Sequence, residues 1–130
     1  MTRVNRIFDK MKYFLDTYAL IEIAEGSPKY QKYLDSDAVT LKDNLAELYY
    51  FLLKKYDEKI ADFFLDKFSK VTAELTIEII AKAMVFRHSH TKTRFSYVDC
   101  LGYIYALENE RFFLTGDRAF EGMENVELVR

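Results

Sequence analysis

Four acidic residues stand where an acid is locally out of place. Asp16 lies between Tyr13-Phe14-Leu15 and Tyr18-Ala19-Leu20-Ile21, and Glu47 interrupts the apolar run from Leu45 to Leu53. Asp99 is embedded in Phe95-Ser96-Tyr97-Val98-Asp99-Cys100-Leu101, and Asp117 closes Phe112-Phe113-Leu114-Thr115-Gly116. Acids are seldom buried without a partner. An unpaired carboxylate taken out of water protonates rather than bear the desolvation cost. Four such acids imply one shared positive partner, and a divalent cation suits them because hard cations take oxygen ligands. Mg²⁺ or Mn²⁺ would offset their mutual repulsion. Such an ion also binds phosphate oxygens, activates water and stabilises a leaving oxygen, which is the chemistry of phosphodiester hydrolysis. Thr115 is placed to hydrogen-bond a carboxylate or a water on the ion, and Gly116 to let the backbone turn tightly.

Each acid also has a plain structural role to set against this one. Asp16 reads as an N-cap and Asp117 as a turn residue. Asp99 stands three residues after Ser96, the spacing of a capping box, and Glu47 has Lys42 and Lys54 within reach at a helix edge.

Elements that position these residues can be read from the pattern. Tyr13–Asp16, Ala38–Leu41, Val71–Ala73, Arg111–Thr115 and Val126–Val129 read as five short strands. Helices are expected over 17–25, 29–34, 43–55, 57–68, 76–87 and 96–107, with Gly26-Ser27-Pro28 ending the first and starting the second. On the fourth of these, Ile60, Phe63, Phe64 and Phe68 are spaced for one side; on the fifth, Ile77, Ile80, Ala81 and Met84. Strands separated by helices predict a parallel sheet with helices on both faces, hence a three-layer α/β/α domain. Ligands of such sheets sit beyond the carboxyl ends of the strands, where Asp16 and Asp117 both fall.

Composition narrows the partners. The 130 residues carry 19 Lys and Arg against 21 Asp and Glu, a net charge of −2, so no global basic field draws in nucleic acid. Any nucleic-acid partner needs local basic patches; Arg87, Lys92, Arg94 and Arg118 are candidates for phosphate contacts. His88 and His90 lack an acid at ligand spacing. Cys100 is the lone cysteine, read as a small buried thiol, and it excludes an internal disulfide. No apolar run reaches membrane-spanning length and no signal peptide precedes the first strand, so the chain is read as cytoplasmic. Residues 1–10 read as an N-terminal extension, a short helix ahead of a domain over 11–130.

The ordered pieces Tyr13-Phe14-Leu15-Asp16-Thr17, Asn44-Leu45-Ala46-Glu47-Leu48, Ser96-Tyr97-Val98-Asp99-Cys100 and Leu114-Thr115-Gly116-Asp117-Arg118-Ala119-Phe120 resemble the PIN domain family. The likeness is greatest to the toxins of VapBC-type toxin–antitoxin modules. It implies a parallel five-stranded sheet of order 3-2-1-4-5 and a Mg²⁺- or Mn²⁺-dependent endoribonuclease. Asp16, Glu47, Asp99 and Asp117 are then the catalytic metal-binding acids, with Thr115 the polar residue of the fourth strand. It further implies an RNA substrate, an antitoxin partner and a homodimer. The alternative is a non-catalytic PIN-like module binding RNA or protein. The segment from Ser89 to Phe95 departs from the family pattern in its wealth of His, Thr, Lys and Arg. Other readings fail: Asp16-Thr17-Tyr18 lacks the second acid of a haloacid-dehalogenase phosphatase, and no glycine-rich phosphate loop is present.

Overall fold

The computed structural model describes residues 11–130. The expected extension over 1–10 lies outside the described residues. Strand β1, Lys12–Leu15, buries every residue after its first, as a strand covered on both faces must. It is followed by helix α1, Thr17–Ala24, and a 3₁₀ helix over Pro28–Asp35. Strand β2, Asp37–Val39, leads into the helical hairpin α2, Lys42–Lys55, and α3, Glu58–Ser69. Helices α4, Ile77–Ser89, and α5, Tyr97–Glu108, precede strand β3, Phe112–Thr115. A short 3₁₀ turn over Arg118–Phe120 then leads to strand β4, Val126–Leu128.

All strand pairs are parallel and the order is β2-β1-β3-β4. The α/β class and the parallel sheet agree with expectation, but the sheet has four strands rather than five. The expected third strand, Val71–Ala73, is reduced to a single bridge, Thr40 to Thr72. Thr40 donates to Val71 O and accepts from Ala73 N–H, at 3.0 and 2.8 Å. The seven residues 70–76 between α3 and α4 make this bridge and no longer ladder.

Alternation along the central strands splits the core in two. Tyr13, Leu15 and Leu114 pack with α1 and α2 on one face, and Phe14 and Phe113 with α4 and α5 on the other. Phe14 and Phe113 stack with centroids 5.7 Å apart. From β1 the chain moves to β2 on one side and returns to β3 on the other. The winding therefore reverses between β1 and β3, where open α/β sheets hold ligands.

Three local expectations are corrected. The segment after Pro28 is a 3₁₀ helix, whose three-residue period puts Tyr30 and Tyr33 on one buried face. On α3, Ile60, Phe64 and Phe68 pack on the core as expected, joined by Ala61, but Phe63 is exposed. On α4, Ile79 and Ala83 face the core, while Ile77 is 78 % exposed and Ile80 also reaches solvent. Both helices carry apolar residues on more than one side, so periodicity alone does not choose the inner face. No helix among the described residues is long and apolar enough to cross a membrane.

Candidate functional site

Asp16 directly follows β1, and its side chain is only 4 % exposed. Its backbone N–H donates to Leu114 O at 3.3 Å, holding the ends of β1 and β3 together. Its Oδ1 accepts from Ala19 N–H at 2.9 Å, so it is also the N-cap of α1. Burial pushes its carboxyl up from 3.8 to about 7. The Thr115 hydroxyl and Ala19 N–H oppose that rise, while Asp99 and Asp117 add to it by repulsion.

Asp99 sits in the first turn of α5. Ser96 N–H donates to its Oδ2 at 2.9 Å, and its own N–H donates to Ser96 Oγ at 3.0 Å, the reciprocal capping box expected from the spacing. Burial raises its carboxyl above the ordinary value against the two Ser96 bonds, and repulsion from Asp117 and Glu47 raises it further. Asp117 caps the short 3₁₀ turn through a bond from Ala119 N–H at 2.9 Å. Its own N–H donates to the buried Thr115 hydroxyl at 3.0 Å. The plain structural roles are therefore real for these three acids, and each cap engages one oxygen of a carboxylate that has two to offer.

Asp16, Asp99 and Asp117 line one open cavity of about 420 Å³ with Thr17, Tyr18, Ile21, Gly116 and Arg130. Glu47 does not line it. That side chain is exposed on α2 and accepts a short hydrogen bond from the Thr17 hydroxyl. It is near enough for its charge to act on Asp99. The sites expected from sequence are thus gathered as three acids around a cavity, Thr115 buried behind them, and Glu47 at the rim.

Four residues had no role assigned from sequence. Thr17 holds Glu47 and accepts from Asn44 Nδ2 at 3.1 Å. Asn44 is buried, and its Oδ1 has no partner among the described residues. Asn44 stands three positions before Glu47, hence on one helix face with it, which is the signal that pairs them. Tyr18 explains Gly116: a Cβ there would lie 2.1 Å from the Tyr18 ring. Gly116 is required by this close approach, since the positive-φ glycines among the described residues are Gly26 and Gly122. Arg130 donates to Gly116 O at 3.3 Å and is, among the described residues, the one cationic side chain on the cavity wall; nothing in its local sequence marks it.

The donor set is all oxygen and hard, and burial, with a smaller part from mutual repulsion, raises the carboxyls of Asp16 and Asp99. It fits a hard divalent cation in chemistry. In the present side-chain arrangement no group of three or more His, Cys, Asp or Glu among the described residues is positioned to hold a metal ion. Ligation by three acids therefore requires side-chain movement from the present arrangement. His90 is engaged elsewhere, its Nδ1 2.8 Å from Phe86 O and its ring stacked on Phe86. Cys100 is fully buried, and burial pushes its thiol up to about 11.

A doubly wound α/β domain with acids gathered at the switch point defines the class of protein. The PIN domain family model matches residues 13–125, and the chain belongs to that family. Similar solved structures include Mycobacterium tuberculosis VapC20, described as a Sarcin-Ricin loop cleaving toxin. It is 16 % identical with a TM-score of 0.75, over 89 % of this chain and 98 % of that one. A toxin–antitoxin complex from Klebsiella pneumoniae is 16 % identical with a TM-score of 0.69, over 88 % and 95 %. VapBC2 from Rickettsia felis, bound to a DNA fragment from its promoter, is 18 % identical with a TM-score of 0.67, over 92 % and 98 %. At these identities the likeness is one of fold. No curated protein matches the sequence at a significant level.

Proposed function

We propose that this PIN domain is an endoribonuclease dependent on Mg²⁺ or Mn²⁺, and that it is the toxin of a toxin–antitoxin pair. The observation that carries the proposal is the gathering of Asp16, Asp99 and Asp117 on one cavity between the ends of β1 and β3, with Asp16 held at about 7. A carboxylate buried chiefly out of water, with two further acids beside it, is costly for a fold to retain unless a cation relieves it. The fold it shares with VapC20 and the VapBC2 toxin supports the toxin reading.

In this scheme Asp16, Glu47, Asp99 and Asp117 hold the ion or ions. A bound divalent cation would activate water and stabilise the leaving oxygen of a phosphodiester. The chain supplies the rest. Thr115 orients Asp16 and fixes the Asp117 backbone. Thr17 and Asn44 hold Glu47 at the rim. Tyr18 and Ile21 give the cavity an apolar side. An antitoxin segment and a second copy of the chain are the proposed partners for the exposed apolar residues Tyr50 and Leu53 on α2 and Ile77 and Val85 on α4.

Cleavage of a mixed RNA pool with Mn²⁺ or Mg²⁺, wild type beside Asp99→Asn, tests the proposal. Metal-dependent cutting lost in the variant is the expected result. Equal background in both proteins would move the assignment to a non-catalytic PIN-like module. That second reading draws support from the lack of a preformed three-acid ligand group among the described residues.

A further inference from the structure

A second cavity, of about 650 Å³, lies between the C-terminal end of α4 and the start of α5. Arg87, His88, His90 and Arg94 line it, together with the hydroxyls of Thr91 and Thr93. Among the described residues no acid lines this cavity. Among the described residues neither Arg87 nor Arg94 joins an ion pair. Two exposed guanidinium groups beside hydroxyl donors, with no carboxylate opposite them among the described residues, have the chemistry of an anion site.

The cavity is fixed to the acidic site at two points. Its wall includes Ser96, whose N–H and hydroxyl bind Asp99. Its floor includes Phe95, buried and stacked at 4.6 Å on Phe120 of the turn that Asp117 caps. At the other end of the segment His90 stacks on Phe86 at 4.1 Å. The Arg87 charge is felt at Cys100, the residue after Asp99. A basic cavity and an acidic one therefore flank the first turn of α5, and the linking loop is pinned by aromatic contacts at both ends.

We propose that Arg87 and Arg94 bind backbone phosphates of the RNA strand adjacent to the phosphodiester held at Asp16, Asp99 and Asp117. This rests on the ribonuclease reading above and adds to it the part of the substrate that positions the strand. Guanidinium and hydroxyl donors read phosphate rather than base edges, so the contact is independent of RNA sequence. Lys92 and Arg118, the other two sequence candidates, do not line the cavity.

The test is binding of a labelled single-stranded RNA of mixed sequence across a salt series, in an Asp99→Asn background so that no strand is cut. Arg87→Gln/Arg94→Gln is compared with the parent, with Arg87→Lys/Arg94→Lys, and with Lys59→Gln on the distant α3. Loss of two phosphate contacts lowers the slope of log affinity against log salt by about 1.4, or about 25-fold in affinity at 0.1 M salt relative to 1 M. The Lys pair and Lys59→Gln keep the parental slope. Restoring Asp99, the Gln pair raises KM for RNA cleavage while kcat holds. An unchanged slope in the Gln pair, or no RNA binding by the parent, overturns the proposal. Loss of binding to an oligoglutamate peptide with RNA binding intact also overturns it, and assigns the cavity to an acidic protein segment. Reduced slope without cleavage by any form removes the ribonuclease reading and leaves the phosphate site. Normal cleavage with unchanged KM and slope does the reverse.

Discussion

Replacing Asp16 by Asn separates the cost of the acidic cluster from its use. The Asp16 carboxyl is held at about 7, chiefly by burial, against 3.8 ordinarily. Between those two values the native state keeps a proton that the unfolded chain has released. Stability therefore falls as pH rises through that window and levels off above it. The full gap corresponds to at most about 4 kcal/mol, of which about 2–3 kcal/mol falls between pH 5 and 8. Asn presents a similar acceptor to Ala19 N–H and caps a helix as well as Asp, so little else changes. Urea unfolding in chelator should show wild type losing that amount from pH 5 to pH 8. Asp16→Asn should lose clearly less; Asp99, also raised, leaves a residual slope of the same sign. At pH 8 the variant is then the more stable protein. Adding Mn²⁺ should reverse the order, because an ion that binds only the native acids stabilises by mass action. Wild-type stability that is level or rising over pH 5–8, or equal slopes for the two proteins, would refute the electrostatic account. A metal-free gain in the variant that persists undiminished in Mn²⁺ would refute the role of Asp16 as a ligand.

Other perturbations have defined outcomes. Thr17→Val removes the hydroxyl that serves both Glu47 and Asn44, leaving the buried amide unpaired at both ends. It should cost about 1–3 kcal/mol in urea unfolding and weaken Mn²⁺ binding about tenfold or more by calorimetry; unaltered metal affinity would remove Glu47 from the site. Gly116→Ala drives a methyl into the Tyr18 ring and should destabilise by about 1–3 kcal/mol. Tyr18→Ala in the same chain should recover part of that loss, and simple additivity would disprove the clash. Cys100, buried with its thiol raised to about 11, should react with iodoacetamide at pH 8 only as fast as the protein opens; rapid labelling of the native protein would contradict its placement.

Local chain chemistry alone marked the sheet strands at Tyr13, Ala38, Arg111 and Val126; the two central ones stand out most, because a strand covered on both faces is a continuous apolar run. It also marked helix starts at Asp57, Thr76 and Ser96, whose caps are contacts between residues three apart. The acids at positions 16, 47, 99 and 117 stood out for the same reason: a carboxylate among apolar neighbours is anomalous wherever the fold takes it. What required the tertiary structure was every choice among locally equal alternatives. Helix α4 is apolar on several sides, and only packing on α5 selected Ile79 and Ala83 over Ile77 and Ile80. Val71–Ala73 has strand chemistry, but it forms a single bridge. Glu47 took the rim rather than the cavity because Thr17, thirty residues away, offered it a hydroxyl. In sequence Arg87 and Arg94 stood level with Lys92 and Arg118 as candidates for phosphate contacts, and Arg130 carried no mark at all. Which of them share a cavity, and whether acids share it with them, is settled only when distant segments meet.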